Sequence, residues 1–454
     1  MMDFRQMPLF EDTNGDIAPS DEIVENTNDS RDLGTFKDNK RAPIHNWFQY
    51  PAGYSYNFVD MMFRQFDVNS GDWVYDPFSG TGTTLVFAKQ NGINGHGVEA
   101  HSFVHWVADV KLYWEYDFTT LGYRIEQLLM QCRNTVAAQT NDVDLENKFP
   151  ELIYKCYHIQ DLTMLYLLRE FIVNCIVDEH IQNLFKLALT QTLRSSAAAG
   201  TGWPYIAPNK NTGDKPPKNA LRLFEKTVRK MYSDLLSVRL QDQDCEIHNV
   251  LGDSRNQQSL DNNQVKLALT SPPYLNNYDY GDRTRLETYF WGITSTWKEI
   301  TQGFRDKLLV AATTQVTRGK HNVETVLSQQ IAQLDSQLYQ TIQDSVLQLA
   351  RLRNTKGGKK DYDLMVALYF NGMLPVLQET YRVLQPGGIF CLVLGDSAPY
   401  GVHLQTELLI GKLGLAVGFQ KYDYQEFRIR GGKWKNNPQR HKVPLHEGML
   451  ILTK

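Results

Sequence analysis

Cysteine is scarce in this chain and scattered. Among 454 residues there are five, at positions 132, 156, 175, 245 and 391, and no two form a CxxC pair. That spacing argues against a disulfide framework and against a cysteine-rich zinc site, so no metal site is expected. Long apolar runs are missing too. No stretch approaches the roughly 18 consecutive apolar residues of a membrane span. The opening residues, MMDFRQMPLFEDTNGD, lack the basic start and apolar run of a secretory signal, so a cytoplasmic location is expected. Nor is there an excess of positive charge. Lys and Arg total 47 against 51 Asp and Glu, a formal net charge of −4. Contact with a polyanion would have to be confined to one face.

What is present is ordinary for a globular α/β chain, 42% hydrophobic and 22% charged. Residues 1–40 are acidic, polar and poor in large apolar groups, which predicts a mobile tail. A compact α/β block occupies 41–111. It is followed by a helical insertion over 112–244, typified by DLTMLYLLREFIVNCIV and RLFEKTVRKMYSDLLSV. The α/β pattern resumes at 245–299. Residues 300–360 form a polar, glutamine-rich helical insertion, and 361–454 are again sheet-like. No internal repeat is visible.

Two loops carry the chemistry. The first runs Asp76-Pro77-Phe78-Ser79-Gly80-Thr81-Gly82-Thr83-Thr84 and follows the strand-like Trp73–Tyr75. Gly80 and Gly82 lack a Cβ, so the backbone can turn sharply and a ligand can come close. Amides at the start of the following helix, over Thr84–Lys89, attract an anion such as a phosphate or an amino-acid carboxylate. A second short strand, Gly95–Val98, ends at Glu99, a carboxylate placed to accept hydrogen bonds from two ribose hydroxyls. The loop departs from GxGxxG, and no Gly-Lys-Ser/Thr follows it, which separates it from dinucleotide and P-loop sites. Taken alone it could also be a bare strand–helix turn. Further on, Gly252-Asp253-Ser254 follows the strand Glu246–Val250, and Asp253 either accepts from an adenine amine or caps a helix.

The second loop is Ser271-Pro272-Pro273-Tyr274, after the apolar run Val265–Leu269. A polar group, two prolines and an aromatic ring at a strand's carboxyl end make a rigid cup for a flat heterocycle with an exocyclic amine. Such an amine is a poor nucleophile because its lone pair is delocalised into the ring. Acceptors on both its hydrogens favour a pyramidal nitrogen with an available lone pair.

Together, DPFSGTGTT and SPPY resemble the motifs of the DNA amino-methyltransferases, which use S-adenosyl-L-methionine to methylate N4 of cytosine or N6 of adenine. The resemblance runs from about Ile44 to Lys454, with the middle helices least diagnostic. It implies an α/β fold with a Rossmann-like class I methyltransferase sheet, seven-stranded and mostly parallel, interrupted by a large helical insertion. It implies that Ser271 and the Pro272 carbonyl accept the amine hydrogens and that Pro272 and Pro273 fix the loop. Tyr274 would then stack on a base flipped out of the duplex. S-adenosyl-L-methionine would contact Asp76, Pro77, Phe78, Ser79, Gly80, Gly82, Thr83, Glu99 and Asp253. Serine rather than aspartate at 271 tilts the expectation toward cytosine N4. No Pro-Cys dipeptide occurs, which argues against methylation of a ring carbon through a cysteine nucleophile.

Asn277, Tyr278 and Asp279 either line the base pocket or cap the next helix. His45–Pro51 with Phe58 matches a segment that folds over the methionine end of the cofactor, or is core. Leu384–Gly388 and the strand ending Leu394-Gly395-Asp396-Ser397 resemble the fifth-strand region of these enzymes. DNA contact needs basic surface. One basic stretch, 210–230, holds Lys215, Lys218, Arg222, Lys226, Arg229 and Lys230, much of which reads as a solvated helix face. The preferred phosphate contacts are Arg430, Lys433, Lys435 and Arg440 in the stretch 428–442. Either helical insertion could read sequence. The expectation is a DNA methyltransferase acting on cytosine N4, in restriction–modification or phage defence, with companion restriction or defence proteins. Adenine N6 is the first alternative. A methyltransferase-fold subunit that only binds DNA, or needs a partner, is the second, and an RNA substrate the third.

Overall fold

The computed structural model of the chain describes residues 34–50, 53–201, 206–207, 216–239, 244–256, 259–317, 319–355, 360–430 and 443–454. Seven strands form one sheet: β1 Trp73–Asp76, β2 Asn94–Glu99, β3 Ile247–Leu251, β4 Val265–Thr270, β5 Leu384–Gly395, β6 Lys421–Arg430 and β7 Leu445–Thr453. Their order is β3-β2-β1-β4-β5-β7-β6. β3 through β5 run parallel, and β7 is antiparallel to both β5 and β6. The expected mostly parallel sheet with helical insertions is therefore present, in its Rossmann-like methyltransferase form.

The strand order explains how loops far apart in sequence become neighbours. From β1 the chain builds outward to β2 and β3, then returns to place β4 on the other flank of β1, with Val74 opposite Leu267 and Tyr75 opposite Ala268. The order reverses between β1 and β4, and in open α/β sheets a crevice opens there at the carboxyl ends of the strands. β4 is buried along almost its whole length, as a central parallel strand covered on both faces should be. The helix Thr83–Gln90 is buried nearly all round. Gly97 on β2 lets it lie so close, since a Cβ there would come within 2.6 Å of Leu85 and 2.8 Å of Ser79.

Between β2 and β3 lie the helices Ser102–Leu112, Phe118–Gln139, Ile159–Cys175, Glu179–Ser196 and Ala220–Val238. The last shows why they form: Phe224, Val228, Met231, Leu235 and Val238 fall on one buried stripe, and the Asn219 side chain caps the start through the Arg222 amide. Between β4 and β5 come short helices and the longer Ser336–Thr355 and Tyr362–Val383. Residues 34–40, expected to belong to a mobile tail, are instead packed. Phe36 and Asn39 are buried, and Asn39 Nδ2 donates to the Tyr54 carbonyl at 2.9 Å. The rest of that stretch lies outside the described residues. No helix among the described residues is long and apolar enough to cross a membrane.

Candidate active site

The glycine loop is held from behind by one carboxylate. Asp76 ends β1, and its Oδ1 accepts from Thr270 Oγ1 at 2.7 Å and the Phe78 amide at 3.1 Å. Its Oδ2 accepts from Tyr54 OH at 2.9 Å and Thr84 Oγ1 at 2.8 Å. Burial pushes the Asp76 pKa up, opposed by these four donors. Asp76 reaches the crevice wall, but its oxygens are engaged with the scaffold. Ser79 Oγ, buried in the crevice wall, has no hydrogen-bond partner among the described residues. Gly80 and Gly82 take positive φ, +53° and +79°. Gly82 is not in the crevice wall. It precedes the helix and faces Ala108, whose Cβ would lie 3.3 Å from an added Cβ. Buried Lys111, not anticipated from the sequence, donates to the Thr81 carbonyl at 3.2 Å, and burial lowers its pKa to about 7.

Glu99 ends β2. Its Oε2 accepts from the Gly80 amide at 3.0 Å and its Oε1 from the His101 amide at 2.7 Å. Burial in the crevice raises its pKa to about 7 against the pull of those amides. Asp253 caps no helix. Arg255, two residues on, grips it with Nε at 2.8 Å and Nη2 at 2.7 Å. That fork and the Arg255 amide outweigh burial and hold the Asp253 carboxyl below its usual range.

These groups wall a cavity of about 930 Å³, its open mouth included. Asp76, Pro77, Phe78, Ser79, Gly80, Thr83, Glu99 and Asp253 line it, and so do Ser271 and Pro273. Residues missed in the sequence reading also contribute: Tyr54, His101, Lys307 and Leu309. Within the aromatic N-terminal segment, Tyr50 faces the cavity, whereas Trp47 and Phe58 are core. The only signal for Tyr54 was its place in a stretch dense in tyrosine, YPAGYSY.

A second cavity, of about 650 Å³ with its open mouth included, adjoins the cup. Its wall includes Ser271, Tyr274, Asn277, Tyr278, Arg430 and Glu447. Gly53, Ser271 and Tyr280 line both cavities, so the two hollows adjoin at the cup. Pro272 is buried beneath it. Burial raises the Tyr274 pKa and the Glu447 charge adds to this, opposed by a hydrogen bond with Ser271. Of Asn277, Tyr278 and Asp279, the first two face the cavity. Asp279 instead caps the helix Tyr280–Arg283 and pairs with Arg305 at 2.6 Å.

The basic candidates divide. Arg430, expected on a phosphate-binding surface, is folded inward: its guanidinium lies 5.5 Å from the Tyr274 ring centroid and donates to the Asp396 carbonyl. Lys433, Lys435 and Arg440 lie outside the described residues. On the helix Ala220–Val238, Arg229 pairs with Glu126 at 2.8 Å and Lys230 with Asp234 at 3.1 Å.

A seven-stranded sheet of this order, parallel except for β7, is the Rossmann-like methyltransferase fold. Among known proteins the chain is similar to the type II methyltransferase M.BsoBI of Geobacillus stearothermophilus, 24% identical over 469 residues that cover 95% of this chain and 90% of that protein. It is also similar to the type II methyltransferase M.AvaI, from Nostoc sp. strain PCC 7120 and from Anabaena variabilis. Each is 24% identical over 413 residues, covering 86% of this chain and 82% of the relative. No protein-family model matches the chain. Likeness over nearly the whole length of these relatives supports methyl transfer as the activity.

Proposed function

We propose that this chain is an S-adenosyl-L-methionine-dependent DNA methyltransferase of a restriction–modification system, acting on the N4 amine of cytosine. The observation that carries the reading is the shared wall: Ser271 belongs to both cavities, one suited to a nucleoside and the other to a base. The names of the similar proteins support the reaction class, and serine at position 271 supports cytosine.

The first cavity fits the cofactor by the chemistry of its donors and acceptors. Glu99, already oriented by two backbone amides, would take the ribose hydroxyls, and the unpartnered Ser79 hydroxyl offers a further polar contact. Amides at the start of the helix Thr83–Gln90 favour a carboxylate. When bound, S-adenosyl-L-methionine supplies an electrophilic methyl carbon on a sulfonium centre.

In the second cavity the Ser271 hydroxyl accepts one amine hydrogen; the resemblance implies the carbonyl of Pro272, a buried residue that lines neither cavity, as the second acceptor, and the pair would turn the nitrogen lone pair toward the first cavity. Tyr274 covers the base face and so fixes the plane of approach. Ser271 relays the proton that nitrogen must shed once it has taken the methyl group: its Oγ takes that proton as its own hydroxyl proton passes to water. Because the prolines hold both acceptors in place beforehand, little reorganisation accompanies the reaction.

Incubation of the purified chain with DNA and methyl-labelled cofactor, followed by digestion to nucleosides and mass analysis, tests this. N4-methyl-2′-deoxycytidine is the expected product. N6-methyl-2′-deoxyadenosine alone would overturn the base assignment, and no transfer would overturn the reading. Ser271→Ala should lower kcat by about 10²–10³, the scale for one preorganised hydrogen-bonding group, while leaving cofactor affinity within about twofold.

A further inference from the structure

We propose that Arg430 is a positioning residue that acts through Tyr274: its guanidinium backs one face of the ring so that the other is presented to the target base. This role presupposes the methyl-transfer reading above and names a residue that sets the geometry of the same site.

Three segments make four contributions to a seat for this one side chain. The ring of Tyr274 comes from the cup, its centroid 5.5 Å from the Arg430 guanidinium carbon. The end of β5 supplies the Asp396 carbonyl, which accepts from Nη2. β7 supplies Glu447, buried, with Oε2 3.9 Å from Nε; its Oε1 is held by Arg428 at 2.9 Å. The fourth contribution is a missing atom. A Cβ at Gly395 would lie 2.6 Å from the guanidinium carbon and 2.7 Å from Nη2, so the group can lie flat over that backbone only because residue 395 is glycine. Register puts these parts together, since Glu447 pairs with Gly395 on one side and with Arg428 on the other.

A cation over an aromatic face is attracted by the ring's quadrupole, more strongly when both are removed from water. Here the cation is anchored by the Asp396 carbonyl and faces the Glu447 carboxylate at 3.9 Å without a hydrogen bond to it, so the attraction restrains the ring. A guanidinium that contacted phosphate would need its donors turned out to solvent, and this one is seated inward.

The test compares Arg430→Met and Gly395→Ala, each alone and combined with Tyr274→Ala, in the full-length chain. Gly395→Ala collides with the far end of a flexible side chain, so it should expel the guanidinium without unfolding the sheet, which a melting curve checks. Each single variant should lower kcat about tenfold, within the range of a buried cation–π contact, with KM for DNA and its salt dependence unchanged. In the Tyr274→Ala background both should lose their effect to within about twofold, because they act through that ring. Arg430→Lys, which keeps the charge without the flat fork, should fall between wild type and Arg430→Met.

Additive losses, or weaker DNA binding with a salt slope reduced by about one, would make Arg430 a phosphate contact and overturn the positioning role. Full activity of Gly395→Ala would do the same. A wild-type chain that transfers no methyl overturns the underlying reading and this role with it. An active wild type with additive variants overturns this role alone.

Discussion

The two cavities that meet at Ser271 are built from different materials. The first is walled by backbone amides and by carboxylates whose partners lie mostly close in sequence: Glu99 takes the His101 amide, and Asp253 the Arg255 fork. The second is backed by long charged side chains from two strand ends, with Arg428 and Arg430 of β6 facing Glu447 of β7. Backbone donors cannot be changed by point substitution and suit a ligand that stays the same. Long side chains on strand ends can be exchanged singly, which suits a pocket whose occupant differs between enzymes.

The largest effect is expected where the first cavity is most tightly tied. Asp76→Ala would leave the hydroxyls of Tyr54, Thr84 and Thr270 and the Phe78 amide without their shared acceptor. Stability should fall by about 3–5 kcal/mol, the range for breaking a buried charged network. Cofactor affinity should fall with it, because the same carboxylate fixes the loop. Urea denaturation and direct cofactor binding read the two effects separately. Intact cofactor binding in a destabilised Asp76→Ala chain would show that the loop holds its shape without this carboxylate.

A smaller effect concerns the acid of β2. Burial raises the Glu99 pKa to about 7, so in the ligand-free protein the carboxyl is largely protonated below that pH. Ribose hydroxyls need the ionised form as acceptor. Cofactor Kd should therefore rise about tenfold per unit as pH falls from about 7 toward 5, and binding at pH 6 should release close to one proton. The sign for the ligand-free fold is the reverse. The unfolded carboxyl ionises first, near its ordinary value of 4.5, so stability declines as pH rises from there through about 7. Calorimetric titration in buffers of different ionisation enthalpy measures the proton count. Glu99→Gln should bind about tenfold more weakly with a flat pH profile, and a profile as steep as wild type would assign the titration to another group.

The difference between the cavities also explains what was legible in the sequence. DPFSGTGTT, Glu99 and SPPY are contiguous motifs tied to strand ends, so their placement followed from apolar runs and turn residues alone, and the expected seven strands are present. The back wall of the second cavity had no such signal. Its residues meet only through the register of β5, β6 and β7 and through the missing Cβ of Gly395. Arg430 looked like a surface cation because RGGKWK has the composition of a phosphate-binding loop, and composition does not show which cation folds inward. Gly82 was read as a ligand contact because both glycines of a turn look alike. In the fold, one faces the crevice and the other faces Ala108.

The smallest effect is expected on a helix that lines neither hollow. The helix Ala220–Val238 carries a basic outer face that by charge alone competes for DNA contact, yet its cations are not all available. Arg229 makes two bonds to Glu126, at 2.8 and 2.9 Å, and a longer pair with Glu225 at 3.6 Å. A phosphate would have to displace those carboxylates to reach it. The pairs are exposed, so each contributes only about 0.2–1 kcal/mol. Arg229→Ala should therefore shift stability by less than about 1 kcal/mol and leave DNA affinity and its salt slope unchanged. A slope lowered by about one would mean that the helix gives up its ion pairs to meet the duplex. The basic face of the helical insertion would then join the DNA-contacting surface, and the division between a scaffold side and a substrate side would have to be redrawn.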